Sequence, residues 1–276
     1  MAQRNELSVP DRAVPVVTQL ADHYRRRPEL GWMYGQGSVF SGLRDDSDLD
    51  LILVWEQMPT TATLPHQLTS RWIPHGNMSL EKATIDACDV DLMHVPRPEF
   101  ENWLEQVRRG DGWTGHAWPQ PIHVAAGRAE AVMLLDDRGD GAAHQLQVQR
   151  PSSALVEAVT DQLRSSLPGY VRELREAAAQ RHRWLYTSLA SQLHRTIYLA
   201  WFLAEGHYPP FPKYLPQWFD RLNMNTTLRR LEDDYWSAPS DPDRADAIAE
   251  LAEAVVTLAE QKLIQAPSPF SGRPAS

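Results

Sequence analysis

The sequence predicts an α+β chain, strand-rich to about residue 150 and all-helical after it. Three observations predict this. Short runs of Leu, Ile, Val and Trp, bounded by Gly, Pro and Asp clusters, recur at strand length between residues 30 and 135. From Pro151 onward the apolar residues recur instead three and four apart, the spacing of one helix face. With 42% apolar residues over 276, the chain is long enough for two domains with real cores, or one large one.

The first half opens with a helix over 10–27, where Val14, Val17, Leu20, Ala21 and Tyr24 share a face and Pro28 closes the pattern. Strands follow at 32–36 and 49–55. Residues 56–76, rich in Pro and Thr, read as loop. Strands are expected again at 78–83 and 87–95, the second alternating as ACDVDLMHV and ended by Pro96 and Pro98. Glu99 to Arg109 is an amphipathic helix carrying Phe100, Trp103, Leu104 and Val107. Residues 110–121 read as loop, 130–135 as a last strand and 136–141 as a turn. In the second half Leu155, Val159 and Leu163 mark a helix, Pro168-Gly169 a break, Val171 and Leu174 a second helix, and Leu185 to Ala200 a long third. The last helix starts with Asp241 as N-cap and Pro242 in its first turn, and its stripe runs from Ala245 to Ala259. The expected organisation is a mixed α/β domain over 1–150, a helical bundle over 151–265 and a disordered tail over 266–276.

Cys88 is the only cysteine, which excludes an intramolecular disulfide and a cysteine-rich zinc module. The N-terminal MAQRNELSVPDR lacks the apolar stretch of a signal peptide, and no apolar run approaches the ~20 residues that span a bilayer, so a cytoplasmic protein with no membrane partner is expected. Net charge is −9, with no Lys/Arg stripe interleaved with aromatics. Nucleic acid is therefore an unfavoured substrate and a small molecule a favoured one. Only Lys82, Lys213 and Lys262 are Lys among 27 cationic residues, a scarcity that makes each a candidate for a specific role.

The chemistry concentrates in YGQGSVFSGLRDDSDLDLILVW. Asp48 and Asp50 open the strand 49–55, and spacing by two puts both carboxylates on one face, where hard oxygen ligands suit Mg²⁺. The preceding strand ends in Gly37-Ser38, where a missing side chain lets backbone N–H groups approach a phosphate. Gly-Ser and Asp-x-Asp are each common in loops, but two acidic residues at the head of an apolar strand have no packing reason and repel unless a cation lies between them.

This arrangement of Gly37, Ser38, Asp48 and Asp50, with Ser47 before the first Asp, resembles the DNA polymerase beta-like nucleotidyltransferase superfamily. The helical second half makes the whole resemble its aminoglycoside nucleotidyltransferases of the kanamycin type, and EGHYPPFPKYLPQWF is similar to a stretch in bacterial nucleotidyltransferase-like proteins. The resemblance implies a small mixed sheet with helices on one side. It also implies Mg²⁺-dependent transfer of a nucleoside monophosphate from a nucleoside triphosphate, ATP by default, to a hydroxyl, with pyrophosphate released.

Two-metal transfer of this kind uses a third carboxylate, which in the superfamily lies on a later strand. Asp89 and Asp91 are the candidates, and Asp91 is favoured because it sits deeper in the apolar strand, where a charge has no structural excuse. In the kanamycin type the base is a Glu leading into the helical part, and no residue here matches it. Lys213, in the stiff loop Pro209 to Tyr214, and Arg44, between the two motifs, are candidate phosphate contacts. His94 reads as a packed histidine, not a ligand. The expected site is thus Asp48, Asp50 and Asp91 for metal and chemistry, with Gly37, Ser38, Lys213 and Arg44 for the triphosphate. The acceptor is expected to be a small molecule held between the two domains. A protein acceptor and a non-catalytic nucleotide-binding module are the alternatives, and the oligomeric state, a homo-oligomer included, is left open.

Overall fold

The structure, a computed structural model, describes residues 9–65, 68–115 and 118–265. The tail expected to be disordered and the N-terminal residues 1–8 lie outside the described residues. The chain divides into two compact units, one of residues up to 106 with 114–149, the other of 107–113 with 150 onward.

The first unit runs α1 (Val14–Tyr24), β1 (Leu30–Gln36), α2 (Gly37–Phe40), β2 (Leu49–Trp55), β3 (Ser70–His75), β4 (Met78–Ile85), β5 (Cys88–Pro96), α3 (Arg97–Arg108), α4 (Pro121–Ala129), β6 (Val132–Leu135) and α5 (Asp140–Gln147). The six strands form one sheet in the order β3-β4-β5-β2-β1-β6. Only β2 and β5 run parallel, so the sheet is mixed. Helix α1 precedes β1, and Pro15 in its first turn needs no N–H there.

Residues paired across a ladder share a face. On one face Leu49, Leu51, Leu53, Trp55, Val90 and Leu92 join Val16, Val17, Leu20 and Tyr24 of α1 in a single core. Each such aliphatic side chain contributes about 1.5–3 kcal/mol relative to leaving it in water. On the other face Trp32 and Tyr34 meet Phe100 of α3 at ring separations of 5.7 and 6.2 Å. Trp32 also stacks on His144 of α5 at 5.2 Å, and the Arg128 guanidinium of α4 lies 4.7 Å over Tyr34. Helices therefore cover both faces, where the resemblance implied one. The reason is in the sequence: β1 and β2 alternate apolar residues onto both sides, and each side needs a cover.

Three elements depart from the sequence reading. Residues 70–75, read as loop, form the edge strand β3, which tolerates Pro74 because an edge position has no obligatory donor. Residues 121–129 form α4, opened by Pro121 at its first position. Residues 136–141, read as a turn, lead into α5, where the Asp136 carboxylate accepts from the backbone N–H groups of Gly141 and Ala142 at 3.1 and 2.8 Å.

The second unit holds α6 (Ser153–Ala179), α7 (Arg183–Ala204), a 3-10 turn (Pro212–Tyr214), α8 (Leu215–Leu222), α9 (Thr226–Ser237) and α10 (Asp241–Gln265). Leu155, Val159, Leu163, Leu193, Ile197, Ile248, Leu251 and Val255 are buried and form its core. The break expected at Pro168-Gly169 is absent: α6 runs straight through. Proline removes one helical hydrogen bond, but Leu163, Leu167 and Leu174, buried on either side, hold the helix against that loss. The N-cap of α10 is Ser240, one residue ahead of the expected Asp241, its Oγ 3.4 Å from the Asp243 N–H. Residues 107–113 join this unit because Gly110, at φ +92°, passes close to α6; a Cβ there would lie 2.8 Å from the Ala154 carbonyl. Among the described residues no helix is long and apolar enough to cross a membrane.

Candidate functional site

The parallel pairing of β2 and β5 sets Asp50 directly opposite Asp91. Both point away from the α1 core, since their neighbours Leu49, Leu51, Val90 and Leu92 point into it. Asp48 stands two residues before Asp50, on the same side. One ligand oxygen from each of Asp48, Asp50 and Asp91 lies within 4.8 Å of the others, Asp48 exposed and the other two half-buried. Ser47 Oγ donates to Asp48 Oδ1 at 2.7 Å. Asp89, the other candidate on β5, stays outside this group and accepts from Thr84 Oγ1 at 2.7 Å.

Gly37 joins the two motifs physically. It adopts φ +83°, and a Cβ there would meet Asp50 Oδ2 at 2.4 Å. The glycine is thus required twice, by its backbone conformation and by the carboxylate against it. The strand expected to end in Gly37-Ser38 stops at Gln36, and Gly37 and Ser38 are the first two residues of α2, with Ser38 buried. The backbone N–H groups of a first helical turn have no intrahelical acceptor.

The arrangement adds Lys82, which the sequence reading did not place at the site. Its ammonium donates to Asp91 Oδ2 at 2.5 Å, from the position on β4 paired with Asp91. The signal was present in the hairpin: Asp86 and Ala87 form a two-residue turn with φ of +47° and +63°, and Lys82 and Asp91 each lie four residues from it. Such turns usually carry Asn-Gly, and the absence of that signature hid the register.

Arg44 makes a two-pronged contact with Asp46, both distances 2.9 Å, in the exposed segment between the motifs. Lys213 belongs to the second unit, where its ammonium lies 4.8 and 5.8 Å over the rings of Tyr214 and Phe211.

Behind the site, on the α1 side of the sheet, β4 and β5 carry a buried polar network. Glu81 accepts from the Thr63 N–H, Thr63 Oγ1, the Leu64 N–H and Ser70 Oγ at 2.9, 2.8, 3.2 and 2.7 Å. Trp55 Nε1 donates to His94 Nδ1 at 3.1 Å, so a neutral His94 carries its proton on Nε2, facing Glu81 Oε2 at 3.3 Å. That last contact is too poorly aligned to count as a good hydrogen bond, and its attraction is mainly electrostatic. Burial pushes the Glu81 carboxyl up, but the electrostatic attraction of His94 and the bonds from Thr63 and Ser70 outweigh it and hold the pKa down to about 2. Burial also lowers the pKa of His94, which lies fully buried between Trp55 and Glu81.

The three carboxylates suit a hard divalent cation. Gathered within 4.8 Å, they would hold such an ion and supply it with hard, charged oxygen ligands. Among solved structures the chain is similar to a nucleotidyltransferase-like protein from Exiguobacterium sibiricum, at 12% identity and a TM-score of 0.45, over 91% of this chain and 77% of that one. No family model matches the sequence, and neither does any curated protein.

Proposed function

We propose that this protein is a Mg²⁺-dependent nucleotidyltransferase, moving a nucleoside monophosphate, AMP from ATP by default, onto a hydroxyl of a small acceptor. The observation that carries the reading is the convergence of Asp48, Asp50 and Asp91 within 4.8 Å, with Gly37 seated against Asp50. Asp48 and Asp50 hold the metal, Asp91 completes the ligand set, and the backbone N–H groups of Gly37 and Ser38 receive a phosphate. Bound Mg²⁺ supplies charge stabilisation to the triphosphate and acidifies the attacking hydroxyl. The acceptor oxygen forms a bond to the α-phosphorus as the bond to the β-phosphate bridging oxygen breaks, so pyrophosphate leaves and the hydroxyl proton passes to a base. Arg44 and Lys213 remain the sequence-based candidates for further phosphate contacts.

Substituting Asp48→Asn or Asp50→Asn removes a charged ligand and keeps the shape. Pyrophosphate release should fall about a hundredfold or more, with the melting temperature nearly unchanged because both side chains lie outside the core. Asp91→Asn should lose turnover comparably and Asp89→Asn should not. Near wild-type release in Asp48→Asn or Asp50→Asn would end this reading, and the reverse ranking at 89 and 91 would move the third ligand.

A further inference from the structure

We propose that Lys82 is a built-in counter-ion that changes partners, neutralising Asp91 while the site is empty and passing to an oxygen of the triphosphate when metal-bound nucleotide arrives. The inference rests on the nucleotidyltransferase reading and goes beyond it, since Lys82 belongs to neither sequence motif. Three carboxylates drawn within 4.8 Å repel one another, and Lys82 is the cation that meets Asp91, at 2.5 Å. Its side chain is 45% exposed against 21% for Asp91. The ammonium is therefore anchored by one contact on a flexible stem and is free to swing, while the carboxylate is set in the sheet. Exposed pairs of this kind add under about 1 kcal/mol to fold stability, so stability gives little reason for one of three lysines to stand there.

When a divalent ion engages Asp91, the ammonium beside it becomes a like charge and is expelled from that carboxylate. A triphosphate bound at the same carboxylates would then offer it a new anion. Lys82 thus opposes metal in the empty site and favours nucleotide in the loaded one, and this opposition of sign is what a merely structural lysine does not produce.

The test measures two affinities on the full chain: Mn²⁺ alone, by electron paramagnetic resonance, and a non-hydrolysable ATP analogue at saturating Mn²⁺, by calorimetry. Lys82→Ala should bind Mn²⁺ about tenfold tighter and the analogue about tenfold weaker, the effect of one unit charge a few ångströms away in a half-wet site. Lys82→Arg keeps the charge and should return Mn²⁺ affinity to the wild-type value while recovering analogue affinity only in part. Unchanged or weaker Mn²⁺ binding by Lys82→Ala would overturn the proposal, as would tighter Mn²⁺ with unchanged analogue affinity. Asp50→Asn separates the two claims. If it binds Mn²⁺ like the wild type, the metal site itself is wrong and Lys82 falls with it; if it loses Mn²⁺ while Lys82→Ala changes neither affinity, the Lys82 inference alone fails.

Discussion

Gly37 is the residue on which the two halves of the site depend, and its substitution separates geometry from charge. Alanine there meets Asp50 Oδ2 at 2.4 Å and must hold φ at +83°. Strain of this kind costs about 1–3 kcal/mol, and relief by displacing Asp50 breaks the carboxylate group. Gly37→Ala should therefore lower the unfolding free energy by that amount and lose pyrophosphate release out of proportion to it. A fully stable, fully active Gly37→Ala protein would contradict the contact. His194 is enclosed by the rings of Tyr235, Trp236 and Tyr198 at 4.3, 5.4 and 5.7 Å, and burial pushes its pKa from 6.5 down to about 4. Its folded value lies below its unfolded one, so the unfolded chain binds the extra proton. The stability present above pH 6.5 is lost as pH falls toward 4, by about 3 kcal/mol. His94, also lowered by burial, acts in the same direction from 6.5 downward, and Glu81, held at about 2, adds its loss below 4.5. His194→Phe should flatten the dependence of urea-unfolding free energy on pH between 7 and 4 by about 3 kcal/mol. An unaltered slope would remove His194 from this account.

At the scale of elements, the β4–β5 hairpin decides whether Lys82 and Asp91 meet, and its turn is strained. Ala87 holds φ +63°, a conformation that glycine adopts without a Cβ clash. Ala87→Gly should raise stability by about 0.5–1 kcal/mol and leave the Lys82–Asp91 register intact, as read by the melting temperature and by retained nucleotide affinity. A loss of stability would mean that the turn needs the side chain. The same hairpin shows what the sequence could and could not reveal. The strand 49–55 was legible because a two-sided apolar run headed by charges fits a buried central strand, and Asp50 and Asp91 were legible as charges without a packing role. Their direct pairing was not, because it depends on a parallel crossover between distant segments. Edge strand β3 was hidden by its polar, proline-bearing composition, and continuous α6 by Pro168, whose local cost is overruled by tertiary burial that no local pattern displays.

At the scale of the whole molecule, charge decides which polyanions the chain accepts. The net charge of −9 repels phosphates on average, and at the site three carboxylates cluster, Asp91 paired with the Lys82 ammonium. A triphosphate of the same sign should bind there only with a divalent ion between, so ATP affinity should rise about a hundredfold or more when Mg²⁺ is added. Long nucleic acids bring many more phosphates and would need a row of Lys and Arg to displace their counterions. Cations of the first unit are drawn into ion pairs away from the site, Arg97 with Glu56, Glu101 and Asp140, and Arg138 with Glu56. No stable complex with RNA or DNA should form at physiological salt. Calorimetric titration with ATP, with and without Mg²⁺, beside a gel shift with mixed RNA and DNA, checks both halves. Tight metal-free ATP binding would contradict the carboxylate site. Salt-sensitive RNA binding would replace the small acceptor with an RNA, since the counterion release behind it demands a basic surface that the balance of 36 acidic to 27 basic residues does not favour.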